Sequence, residues 1–152
     1  THDTGHFYAF ETGEAFTAQV RVRAEFEQLY DQAGLMVRLD AEHWVKAGIE
    51  FSDGLPMLSS VRTTGQSDWA TGVYTHDPAD FWRRLTVANG VLRLQVSADG
   101  DEWPLVRLCP FPAAPRYLVG PMCCTPERSG LHVTFSDWAL TATLDKALHD
   151  LT

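Results

Sequence analysis

The sequence predicts an all-β fold, an antiparallel sandwich or barrel with the sandwich favoured. Three observations carry that expectation. Apolar and polar residues alternate strictly in several short runs. Those runs are joined by hairpin signals at Asp53-Gly54, Asn89-Gly90 and Asp99-Gly100. Helical periodicity is scarce before residue 140.

The elements follow in chain order. Phe16 to Ala24 places Phe16, Ala18, Val20 and Val22 on one face and Thr17, Gln19, Arg21 and Arg23 on the other, which describes a half-buried strand. Glu25 to Gln32 reads as a connection with a helical turn. Gly34 to Phe51 is expected as a hairpin whose apolar face holds Leu35, Val37, Leu39, Val45, Ala47, Ile49 and Phe51. A loop at Ala41 to His43 would pair Asp40 with Trp44 and set Arg38 opposite Lys46. Like charges opposite one another are unfavourable, so Glu50, Asp40 or a bound anion is expected beside them. The Asp53-Gly54 turn pairs Phe51 with Pro56 and Ile49 with Leu58.

Thr64 to Ala79 is rich in turn residues and is expected as a loop with a short edge strand at most. Around Asn89-Gly90, Val87 pairs with Leu92 and Leu85 with Leu94, while Arg84 and Gln95 share the polar face. Leu105 to Leu108 forms a strand ended by Pro110, Pro112 and Pro115. Tyr117 to Met122 and Leu131 to Trp138 are the last two. From Leu140 onward Leu144, Ala147, Leu148 and Leu151 recur at helical spacing, which predicts a short C-terminal helix. The expected organisation is one sandwich domain over 1–139 and a helical tail over 140–152.

A chain of 152 residues can bury one sizeable core, and its 45% hydrophobic content is ordinary for a globular domain. No run reaches the ~18 apolar residues of a membrane span. A formal net charge of -8 argues against a nucleic-acid partner, which selects for a basic stripe. Cys109, Cys123 and Cys124 are an odd number with two adjacent, and no signal-peptide pattern opens the chain, so a cytoplasmic location is expected.

Four motifs, YDQAGLMVR (Tyr30 to Arg38), HWVKAGIEF (His43 to Phe51), SDWA (Ser67 to Ala70) and GPMCCTPERSGLHVTFSDW (Gly120 to Trp138), resemble the DUF1349 family in order and spacing. That family belongs to the concanavalin A-like lectin and glucanase superfamily and includes relatives named as regulators of enolase. The resemblance runs from about Gly5 to Trp138 and implies a jelly-roll sandwich of two curved antiparallel sheets. Family members begin with a further segment ending in an Asp-Phe-Trp-like strand, whereas this chain opens close to its GHFY motif (Gly5 to Tyr8). The resemblance therefore implies either a truncated chain or an open sheet edge. The tail after Leu140 lies outside it.

Candidate chemistry centres on the polar face of the predicted hairpin. A glycosidase needs two carboxyl groups about 5 to 10 Å apart, and the Glu-x-Asp-x-x-Glu spacing of the superfamily's glucanases is absent. Glu50 has no second acid on its strand, although Asp40 or Asp68 could supply one from a neighbour. Arg38, Trp44, Lys46 and Glu50 suit recognition of a sugar or a small anion, and Met36, Met57 and Arg84 are expected to line the same face. Trp69 either stacks on a ligand from its loop or plugs the end of the sandwich, with Asp68 capping a turn. No metal set is predicted: His2 and His6 are four apart near a terminus, and Asp99, Asp101 and Glu102 only imitate a calcium loop. No cofactor is implied. The leading expectation is a non-catalytic ligand-binding or regulatory module for a carbohydrate or small polar metabolite. The rivals are an enzyme with Glu50 as general base, and a module that binds a protein partner or a second copy of itself.

Overall fold

The computed structural model describes residues 5–125, 131–144 and 146–152. Its strands are β1 (Gly5–Phe7), β2 (Phe10–Thr12), β3 (Phe16–Ala24), β4 (Gln32–Asp40), β5 (His43–Ser52), β6 (Leu55–Thr64), β7 (Gln66–Val73), β8 (Asp80–Ala88), β9 (Val91–Ser97), β10 (Leu105–Pro110), β11 (Tyr117–Cys124) and β12 (Val133–Thr141). They form two antiparallel sheets. Sheet A is seven-stranded in the order β1-β11-β4-β5-β6-β7 with β2 also on β11, and sheet B is five-stranded in the order β10-β9-β8-β3-β12.

The period-2 pattern explains why these sheets pack face to face. Phe16, Ala18, Val20 and Val22 from sheet B meet Leu35, Val37, Ala47 and Ile49 from sheet A in one core, all 1% exposed or less. Asp53 and Asn89 take the left-handed conformation with Gly54 and Gly90 after them, as type I′ turns require. Those turns place Phe51 opposite Pro56 and Val87 opposite Leu92, the registers expected from the sequence.

Three expectations are corrected. In the β4–β5 hairpin Asp40 pairs with His43 and Arg38 with Trp44, so Lys46 faces Met36 rather than Arg38. The Asp40 carboxylate accepts hydrogen bonds from the Glu42 N–H and from His43 Nδ1, both at 2.8 Å, and this side-chain turn closes the loop one residue earlier than read. The shift is by two positions, so both faces keep their residues. The segment after Thr64 is no loop: Gly65, at φ 81°, reverses the chain and β7 runs eight residues along the edge of sheet A. Because β7 is exposed on both faces, hydrophobic alternation could not reveal it.

No helix forms in the tail among the described residues. β12 takes Leu140 and Thr141 into sheet B, and the remainder crosses that sheet's outer face. There the Leu144 N–H donates to Thr17 Oγ1 at 3.2 Å, the Arg93 guanidinium to the Lys146 carbonyl at 3.3 Å, and the Trp103 N–H to the Leu151 carbonyl at 2.7 Å. A helix this short is marginal in isolation, and these contacts with the sheet outweigh it.

Candidate functional site

The face of sheet A turned away from the core carries most of the candidate residues. On it β4 presents Gln32, Met36 and Arg38, β5 presents Trp44, Lys46 and Glu50, and β11 contributes Met122. Its centre is bare backbone. Gly34 and Gly48 are direct partners, and a Cβ on either would lie 2.0 Å from the Ala47 carbonyl oxygen or 1.8 Å from that of Ala33.

Toward one end, Phe7, Met36, Arg38, Trp44, Lys46 and Met122 line an open cleft of about 490 Å³. Lys46 Nζ lies 6.0 Å from the centroid of the Trp44 ring, within cation–π range. Among the described residues neither Arg38 nor Lys46 has a carboxylate within 4.0 Å. Asp40, one of the expected partners, is engaged by His43 and the Glu42 N–H instead, and these bonds hold its carboxyl below the ordinary value.

Glu50 occupies the other end and is 5% exposed. Its Oε2 accepts from Gln32 Nε2 at 2.9 Å, and its Oε1 from Trp69 Nε1 at 3.1 Å and Ser59 Oγ at 3.3 Å. The donors come from β4, β7 and β6, so the carboxylate ties four strands together. Burial pushes its pKa up, against the opposing pull of the Lys46 charge and the Ser59 and Trp69 hydrogen bonds. Trp69 neither plugs the sandwich nor rides a loop. It stands on the edge strand, 55% exposed, with its indole N–H turned to Glu50. Asp68, on the opposite face of β7, pairs with Arg107 at 2.9 Å.

Arg84 does not join this group. It belongs to β8 in sheet B, whose polar face points to the opposite side of the molecule. There its guanidinium lies 3.9 Å from the Trp103 ring centroid and donates to Gln19 Oε1 at 3.1 Å. Ser59 and Met122 were missed by the sequence reading, and Met122 and Phe7 reach the cleft through long-range pairing that no local pattern encodes.

Among the described residues no three His, Cys, Asp or Glu side chains group in a way that could hold a metal ion, and His2 lies outside them. Asp99 Oδ1 accepts from the Asp101 and Glu102 N–H groups at 2.8 and 3.0 Å, so that acidic cluster is a turn cap. Burial pushes the Cys123 thiol up, which keeps it protonated. No helix among the described residues is long and apolar enough to cross a membrane.

Comparison with known proteins agrees with this architecture. Residues 1–143 match the family described as protein of unknown function, DUF1349. Regulation of enolase protein 1 of Saccharomyces cerevisiae is 67% identical over 151 residues, spanning 99% of this chain and 76% of that protein. The crystal structure of a functionally unknown protein from Saccharomyces cerevisiae superposes with a TM-score of 0.92 at 66% identity, covering 95% of this chain and 78% of that one. The GH43 protein BlXynB of Bacillus licheniformis superposes with a TM-score of 0.72 at 12% identity, covering 85% of this chain and 28% of that one, a likeness of fold alone. Family match, relative and jelly-roll architecture agree: the chain belongs to the DUF1349 family.

Proposed function

We propose that this chain is a non-catalytic ligand-binding or regulatory module whose sheet A cleft takes a carbohydrate or small polar metabolite bearing a negative group. The observation that carries this reading is the pair Arg38 and Lys46, two cations with no carboxylate within 4.0 Å among the described residues, at a cleft walled by Trp44. An anionic group between them would make charge-assisted hydrogen bonds, and the Trp44 ring offers a face for a sugar or planar group. Met36, Phe7 and Met122 supply apolar wall. Bare backbone at Gly34 and Gly48 lets a flat ligand lie close to the sheet.

Glu50 suits a holding role better than that of a general base, because its two oxygens accept from three donors and it is 5% exposed. The name of the Saccharomyces relative, Regulation of enolase protein 1, supports a regulatory reading in which ligand occupancy is what the module reports. The unbridged thiols Cys109 and Cys123 support a reducing cytoplasm as its setting.

A thermal-shift screen of sugars, sugar phosphates and small organic acids tests the proposal. A ligand that prefers the folded state raises the melting temperature. The rise is expected with an acidic member of the panel and is expected to vanish in the Arg38→Ala/Lys46→Ala variant. A ligand whose shift survives in that variant would move the site elsewhere.

A further inference from the structure

Arg83 stands at a core position. On β8 it falls between Phe81 and Leu85, both 0% exposed, and its partners on the neighbouring strands are Val20 and Val96. The residue is itself 1% exposed, so its guanidinium lies between the two sheets. Among the described residues none of Nε, Nη1 or Nη2 has a hydrogen-bond partner. Burial pulls its pKa down to about 10, which leaves it charged at neutral pH.

Tyr74 completes the observation. Among the described residues its buried hydroxyl has no partner, and its ring centroid lies 6.5 Å from that of Phe81, the core neighbour of Arg83 on β8. Burial pushes the Tyr74 pKa up, so the phenol is a neutral donor and not a counter-charge. The place therefore holds five guanidinium N–H groups and one O–H with no acceptor. An unpaired charge in an apolar interior is costly unless an opposite charge accompanies it.

We propose that Arg83 and Tyr74 form an internal site for one small monovalent anion of the halide class, entered from the Tyr74 side of the sandwich. A single cation between apolar walls matches a single negative charge, and the close packing of two sheets favours a compact ion over a metabolite. Tyr74 as a residue is half-buried and packs against the core while its hydroxyl is fully buried, which puts it at the border between surface and interior. The Asp77, Asp80 and Asp99 charges raise its pKa, and they repel every anion in proportion to its charge, so a monovalent ion is opposed least and a polyanion most. The site is independent of the sheet A cleft, since neither residue lines it.

The experiment is an anion titration of the full chain at constant ionic strength, exchanging sodium gluconate for chloride or bromide. Wild type is expected to gain on the order of 5 °C in melting temperature, saturably, as chloride reaches about a hundredfold excess over its Kd. Arg83→Met is expected to show a flat response, and Tyr74→Phe a weaker one at higher midpoint. A crystal soaked in bromide should give an anomalous peak within hydrogen-bond distance of the guanidinium. Equal melting temperatures in chloride and gluconate, or water alone beside Arg83 in the bromide crystal, would overturn the proposal. Both readings on wild type stand even if Arg83→Met fails to fold.

Discussion

The Trp69 indole N–H reaches over β6 to donate to Glu50 Oε1 at 3.1 Å, binding an exposed edge strand to a carboxylate on the second strand in. β7 buries little of its own surface, so this bond, the Asp68–Arg107 ion pair, the Thr63–Ser67 hydroxyl bond and its ladder to β6 hold it. Trp69→Phe keeps the ring and removes the donor. It is expected to cost about 1–3 kcal/mol, the range for depriving a buried charged group of one hydrogen bond. Urea denaturation would read that loss, and amide exchange over 66–73 should quicken. An unchanged midpoint with unchanged exchange would show that the strand is secured without this bond.

Glu50 also sets a pH dependence. Its folded pKa is raised above the ordinary 4.5, so between those values the native state holds a proton that the unfolded chain has released. The stabilisation from this group is complete below the unfolded value and is lost as pH rises through the folded one. Glu50→Gln removes the titration while keeping a side chain that accepts from Trp69. Denaturation at stepped pH should show wild type losing stability relative to Glu50→Gln across that window, then a constant difference above it. Parallel curves throughout would mean that Glu50 titrates alike in both states.

These residues show what was legible beforehand. The strands with one buried face announced themselves, because Val20, Ile49 and Leu94 sit at period-2 positions that only a sheet satisfies. Asn89-Gly90 and Asp53-Gly54 fixed two registers, since their left-handed backbone is a local property. β7 and the tail were illegible for opposite reasons. The first lacks a buried face, and the second has a helical pattern overridden by partners at Thr17, Arg93 and Trp103. Arg38, Trp44 and Lys46 could be placed on one face from parity alone, yet Arg84 was placed beside them because parity cannot say which sheet a strand joins.

The glycine pair gives a direct test of the site's floor. Gly34 and Gly48 bring two backbones so near that a Cβ at Gly48 would meet the Ala33 carbonyl oxygen at 1.8 Å. Backbone on both sides cannot swing aside as a flexible side chain could. Gly48→Ala is therefore expected to destabilise by about 2–3 kcal/mol, the cost of overpacking a well-fitted interior. Gly72→Ala serves as the control, because nothing lies within 4 Å of the added atom there. Equal urea midpoints for the two variants would show that the strands can part at no cost.

The tail supplies the last prediction. Removal of 146–152 takes the Lys146 carbonyl from Arg93 and the Leu151 carbonyl from the N–H of Trp103, which is 2% exposed. Each orphaned donor costs about 1–3 kcal/mol if left buried, though water admitted by the deletion recovers part of it. The truncated chain should melt earlier, and the emission of Trp103 should shift to the red as solvent enters. Its mass in solution should match that of the full chain less the deleted residues at the same oligomeric order, because the tail's backbone contacts are made with its own sheet B. A change of oligomeric order without a change in emission would reverse that assignment: the segment would then be a contact for a second copy, and Arg84 and Trp82 would cover Trp103 without it.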